Sequence, residues 1–136
     1  LNDRVAALGT TLGQALLAPH HSYLSEIESL RRAGVPIRGL AHITGGGLID
    51  NPARIMSPET AMRIDRKTWS VPPLFALIQS QGNIDEREMY RAFNMGIGML
   101  VVVPADAVAG ALATLGPGAV PVGEIIPREE VAVELI

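Results

Sequence analysis

Cysteine is absent from this chain, lysine occurs once, at Lys67, and the aromatic set is two Phe, two Tyr and one Trp in 136 residues. Without cysteine there are no disulfides, no thiolate metal ligands and no sulfur nucleophile. That is compatible with a cytosolic setting, and a cytoplasmic location is expected. With so few aromatic rings the core must be built from Leu, Ile, Val, Ala and Met. Lys and Arg number 11 against 14 Asp and Glu, for a net charge of −3. No basic cluster stands out, so no nucleic-acid partner is expected, because phosphate-backbone binding needs a basic patch. No apolar run approaches the roughly 20 residues of a membrane span, and the densest, "IGMLVVV", has the length of a strand. No membrane partner is expected.

What is present is a globular balance, 48% hydrophobic and 18% charged, with a length that suits one compact domain spanning residues 1–136. The chain begins with Leu and shows no signal peptide, which suggests a piece of a longer protein.

Periodicity places the elements. Val5, Leu8 and Leu12 stand at helical spacing, weakened by Gly9 and Gly13. In "SYLSEIESLRRAG", Ser22 is positioned to cap, Leu24, Ile27 and Leu30 form a stripe, Glu28 and Arg32 pair at i,i+4, and Gly34 suits a left-handed end. Ile37 to Thr44 reads as a strand. "IDEREMYRAFN" carries entry signals: Asp85 as cap, Glu88 reaching back, and Ile84 closing over Met89. "IGMLVVV" reads as a strand covered on both faces. "DAVAGALATLG" presents Val108, Leu112 and Leu115 and stops at Gly116. Val120 to Ile126 and Val131 to Leu135 read as strands about Pro127. Helices and strands interleave without repeats, which predicts an α+β fold with helices packed on a mostly internal sheet.

The chemistry concentrates in "LAHITGGGLIDNPARI". Strand alternation puts Arg38, Leu40, His42 and Thr44 on one face and Ile37, Gly39, Ala41 and Ile43 on the other. A His and a Thr therefore point the same way and run into Gly45, Gly46 and Gly47. Such a turn either aims backbone N–H groups at an anion or lets another backbone approach closely. Composition alone leaves both open. His42 is likewise open between a proton carrier and a structural histidine. In "FNMGIGM", Asn94 ends a helix, and Gly96 and Gly98 flank Ile97 at the entry to a strand, again a mark of close approach or of packing. His20 and His21 point apart on an extended chain with no third ligand spaced to join them, so no metal site is expected there. No catalytic triad, carboxylate pair, Walker loop or dinucleotide fingerprint can be assembled.

"AHITGGGLIDNPARIMSP" together with "GNIDEREMYRAFNMGIGM" resembles the C-terminal domain of the phosphoribosylformylglycinamidine cyclo-ligase family, the aminoimidazole ribonucleotide synthetases, from about Leu16 to Ile126. Selenophosphate synthetases, thiamine monophosphate kinases, hydrogenase-maturation dehydratases and formylglycinamidine ribonucleotide synthetases are similar in fold. The resemblance implies a ferredoxin-like-related α+β domain, a mixed sheet flanked by helices, and ATP-dependent closure of formylglycinamidine ribonucleotide to aminoimidazole ribonucleotide. It implies further that ATP and Mg²⁺ lie mainly on an N-terminal domain outside this sequence, which also builds a homodimer. On this reading His42 is the catalytic candidate, and Thr44, Gly45, Gly46, Gly47, Asn94 and Gly96 are the candidates for holding substrate or phosphate. The alternatives are a structural or assembly fragment, inactive alone, and a sister ATP-dependent enzyme such as a selenophosphate synthetase. One departure stands out: where the family reads Leu-Leu-x-Pro-Thr-Arg-x-Tyr, this chain has Leu16 to Tyr23 with His20 and His21 in place of Thr-Arg. His21 thus lacks the permanent charge and planar donor fork of an arginine.

Overall fold

The computed structural model describes residues 1–136. Its centre is a mixed three-stranded sheet in which β4 (Thr60–Ile64) runs antiparallel to β6 (Gly123–Pro127) and parallel to β7 (Val133–Leu135). Arg63 on β4 stands directly opposite Glu124 and Glu134 in the register and pairs with both, at 3.5 and 3.0 Å. Such cross-strand pairs fix register where a slip would turn Met62 and Ile64 out of the core.

Beside this sheet, β3 (Gly39–His42) pairs antiparallel with β5 (Met99–Val102), His42 facing Met99. Alternation holds as read: Ala41 and Ile43 are buried, while Leu40, His42 and Thr44 are exposed. The expected single internal sheet is instead divided, with β5 in a two-stranded ladder. Leu100 is buried, and the strand borders a hollow of about 550 Å³ lined also by residues of α2 (Leu24–Arg32) and α6 (Val108–Leu115). Val108, Leu112 and Leu115 line that hollow together, as their spacing predicts.

The helix α5 (Glu86–Ala92) begins where expected, with the Asp85 carboxylate accepting from the Arg87 amide at 2.9 Å; Glu88 turns toward Arg91 rather than back to the cap. Helix α2 starts one residue late. Tyr23, not Ser22, is its first flanking residue, with no side-chain cap, and Leu24 is exposed while Leu30 is wholly buried. Gly34 is left-handed at φ +73° and Glu28 bonds Arg32 at 2.6 Å, both as anticipated.

The N-terminal segment departs from the helical expectation. Arg4–Val5 (β1) and Thr10–Thr11 (β2) form a small antiparallel ladder, turned by Gly9 at φ +66°, before the short α1 (Leu12–Leu16). The two glycines that weakened the helix are the reason: Gly9 supplies the turn, and Thr11 caps α1 in a reciprocal box with Gln14.

Two further helices complete the fold, α3 (Gly47–Ala53) and α4 (Pro73–Gly82). Helix α3 packs against α5, β3 and β7. Leu48, Ile43, Ile64, Met89 and Met95 join in the main core cluster, and Leu48 is fully buried. No helix is long and apolar enough to cross a membrane.

Candidate functional site

Because β3 and β5 are antiparallel, the end of β3 and the start of β5 fall at the same end of the ladder. The two glycine loops, residues 43–47 and 94–98, therefore lie side by side, joined by the Ile43 amide donating to the Gly98 carbonyl at 2.9 Å. Sequence separation hides this neighbourhood; antiparallel register creates it.

The three consecutive glycines serve different ends. Gly47 is left-handed at φ +55°, and an added Cβ would sit 2.6 Å from the Arg91 carbonyl oxygen and closer still to that of Tyr90. What approaches the turn so closely is thus the backbone of α5. At Gly46 a Cβ would meet the Asn51 amide nitrogen at 2.6 Å, whereas at Gly45 it would meet nothing within 4 Å. Gly45 is exposed, and the N–H groups of Gly45 and Gly46 donate to nothing within the chain. They stand at the entry to α3, two adjacent backbone donors at the positive end of a helix.

Asn51 organises this turn and escaped the sequence reading, sitting in an Asn-Pro pair that looks like a loop. It is 5% exposed, and its Oδ1 accepts from the Thr44 amide at 2.7 Å, with the Thr44 hydroxyl at 3.5 Å. A buried amide that spends its acceptor on the loop backbone holds the turn in one shape. The Thr44 side chain is otherwise exposed, on the same face as His42.

The second loop is held as tightly. The Asn94 Oδ1 accepts from the Gly96 amide at 3.0 Å, Met95 is left-handed at φ +51°, and the Trp69 indole N–H donates to the Met95 carbonyl at 2.9 Å. Gly96, at φ +99°, lies against Pro72, and Gly98 lies under the Tyr23 hydroxyl. The reason for glycine at 96 and 98 is therefore close approach by Pro72 and Tyr23. Asn94 is half-buried and Gly96 exposed.

On the outer face of β3, His42 meets residues that the sequence left apart. The Nε2 atoms of His20 and His42 are 2.9 Å apart. The Tyr23 ring stands edge-on to His20, His21 and His42, with centroids at 5.8, 4.8 and 6.4 Å. His21 is bonded to Glu26, whose carboxylate also accepts from the Ser25 hydroxyl at 2.7 Å. That hydroxyl first and His21 second lower the Glu26 carboxyl to about 2, while burial, and then the Glu26 charge, raise the Tyr23 phenol. His20, His21, Tyr23, His42 and Met99 line an open cleft of about 490 Å³.

No three or more His, Cys, Asp or Glu side chains converge in a way that could hold a metal ion. The donors here do not fit a Mg²⁺ ion, which takes carboxylates and phosphate oxygens in near-octahedral array. The larger hollow under α2 and α6 is walled mainly by aliphatic side chains, with His21, Glu26 and Glu124 among its few polar residues. It offers little to a phosphate. At the glycine-loop end of the β3–β5 ladder, by contrast, the Gly45 and Gly46 amides have no partner within the chain and the space beside Gly45 is open.

A family model described as AIR synthase related protein, C-terminal domain, matches residues 2–136. The chain belongs to that family. Among curated relatives, the phosphoribosylformylglycinamidine cyclo-ligase of Thermoanaerobacter sp. (strain X514) is 47% identical over 132 residues, covering 95% of this chain and 39% of the relative. The enzyme of the same name from Bordetella pertussis (strain Tohama I) is 44% identical over 126 residues, covering 90% and 36%. The chain thus spans less than two fifths of the length of these relatives. The fold is shared with the hydrogenase maturation protein HypE of E. coli, at TM-score 0.59 and 21% identity over 83% of this chain and 35% of that one. A HypE–HypF complex gives 0.65 and 23% over 91% and 44%.

Proposed function

We propose that this chain is the C-terminal domain of a cyclo-ligase that closes formylglycinamidine ribonucleotide to aminoimidazole ribonucleotide, with ATP converted to ADP and phosphate. The observation that carries the reading is the convergence of two glycine loops beside His42, in a chain 47% identical to an enzyme named for that reaction. The reaction phosphorylates the formyl oxygen. An amidine-side nitrogen then attacks the activated carbon to close the ring, the C–O bond breaks, phosphate leaves and the nitrogen gives up a proton.

This chain's part is positioning. The free amides of Gly45 and Gly46, held by Asn51 through Thr44, bind a phosphate or the substrate at the entry to α3. Asn94 holds Gly96 so that the second loop closes the other side of the cleft. Thr44 adds a hydroxyl on the same face, and His42 takes the proton released at ring closure. ATP, Mg²⁺ and the homodimer contact belong to an N-terminal portion, in a cytoplasmic enzyme, and the domain alone is inactive.

Gly47 favours a second reading for one glycine alone, since its contact with α5 is packing. A purely structural fragment predicts no response of the loop to any ligand. Fusing this chain to the N-terminal portion of the Thermoanaerobacter enzyme tests the function. ADP release that depends on formylglycinamidine ribonucleotide and yields aminoimidazole ribonucleotide is expected; a folded, dimeric fusion without ring closure contradicts it.

A further inference from the structure

Two imidazoles from distant parts of the chain meet at the cleft, and their geometry restricts what they can share. The Nε2 atoms are 2.9 Å apart and the ring centroids 5.0 Å. Nε2 lies roughly 1.2 Å from the centre of an imidazole, so a collinear meeting gives about 5.3 Å between centres, close to the observed separation and to an ideal N–H···N hydrogen bond. A bridging zinc would need bonds of about 2.05 Å and hence Nε2 atoms about 3.3 Å apart, with the rings turned toward a common point. The rings are nearly head-on, and a proton fits between them where a metal does not.

We propose that His20 is a positioning residue for His42: the two rings hold one proton between their Nε2 atoms, so His20 decides which nitrogen of His42 is protonated and where the ring points. The inference rests on the role given to His42 above. Head-on at this distance, both Nε2 atoms cannot carry protons, nor can both be bare, without losing the bond. One ring is therefore the Nε2–H tautomer and the other the Nδ1–H tautomer, unless the pair carries a single positive charge. The hydrogen bond made by one ring fixes the state of its partner. Tyr23 holds the pair in place, its ring edge-on to both and its hydroxyl seated over Gly98. The other titratable groups nearby are His21 and Glu26, which bond each other, and Arg38, which alternation places on the strand face of His42.

For ring closure the arrangement has a direct use. A proton carrier must begin with a bare nitrogen facing the proton it takes. By pinning one end of His42, His20 leaves the other end in a defined state.

Long-range ¹H–¹⁵N NMR of the histidines in the 136-residue chain, at about pH 8 and so above the ordinary histidine range near 6.5, reads the tautomers directly. The expected result is opposite Nε2 states for His20 and His42. His20→Ala should return His42 to the mixed tautomers of a free imidazole, His20→Gln should restore a single hydrogen-bonded form, and His21→Ala should change nothing. Identical mixtures in both rings, or a His42 spectrum indifferent to His20→Ala, overturn the proposal. In a complete enzyme carrying this domain, His20→Ala should lower kcat about tenfold, the scale of one lost hydrogen bond, with KM unchanged, and His20→Gln should recover most of it. Full turnover by His42→Ala would remove the role given to His42 and leave the shared proton standing on the spectra. Turnover that needs His42 while His20→Ala moves neither tautomer nor kcat would remove the positioning role alone.

Discussion

Replacing Gly47 by Ala separates packing from binding within the glycine run. The new Cβ would lie 2.6 Å from the Arg91 carbonyl oxygen and 2.7 Å from its carbon, about 0.8 Å inside ordinary contact at 3.4 Å. Both atoms are backbone in α5, so no side chain can swing away. Left-handed φ costs an alanine roughly 1–2 kcal/mol, and forcing α3 off α5 costs about 1–3 kcal/mol more. A loss near 3 kcal/mol would be a large part of a typical folding free energy of about 5–15 kcal/mol. In urea, with a slope near 1.5 kcal/mol/M, the midpoint should fall by about 2 M at unchanged slope. Gly45→Ala is the internal control: nothing lies within 4 Å of its Cβ, so stability should change by less than about 1 kcal/mol. That same methyl would intrude on an anion at the free amides and weaken binding about tenfold, or 1.4 kcal/mol. A Gly47→Ala chain as stable as the parent would refute the packing argument, and a Gly45→Ala chain binding as the parent does would refute the cradle.

Asn51→Ala removes the acceptor of a buried loop amide and should cost about 1–3 kcal/mol by chemical denaturation, with broadened amide signals at Thr44 to Gly46. Gly98→Ala would drive its methyl into the Tyr23 hydroxyl; loss of the ring contacts between Tyr23 and His42 in NOE spectra is expected, and an unmoved Tyr23 would contradict the close approach. Acid should weaken the fold in a particular window. The Glu26 carboxyl is held at about 2 in the fold against 4.5 in its ordinary state. Its contribution is therefore complete above 4.5 and is lost as pH falls from there toward 2; Glu26→Gln should flatten that part of the stability profile.

How far the sequence was legible depended on whether local signals and long-range packing agreed. The outer face of β3 and the start of α5 were readable because alternation and an Asp cap act locally. Helix α3 was not, since three glycines, Asn51 and Pro52 all argue for a loop, and only burial of Leu48 against β3 and α5 makes the segment helical. Strand β4, the centre of the three-stranded sheet, has Ala61 and Met62 buried on successive positions and so shows no alternation. Helix α4 did carry a signal, Pro73 at its first turn and Asn83 at its left-handed end, that went unread. At the site, the glycines announced close approach, but which partner approached each of them was decided by tertiary contacts with Tyr90, Arg91, Pro72 and Tyr23. The meeting of His20 with His42 had no local signal at all.

The central claim is that the loop between β3 and α3 receives substrate. An amide NMR titration of this chain with formylglycinamidine ribonucleotide, with inorganic phosphate as control, tests it most directly. The account predicts saturable shifts concentrated at Gly45, Gly46 and Thr44, spreading to His42 and Asn94 and weaker at Gly47, whose amide is already bonded to the Thr44 carbonyl. A folded spectrum in which these signals stay still at saturating ligand would contradict it.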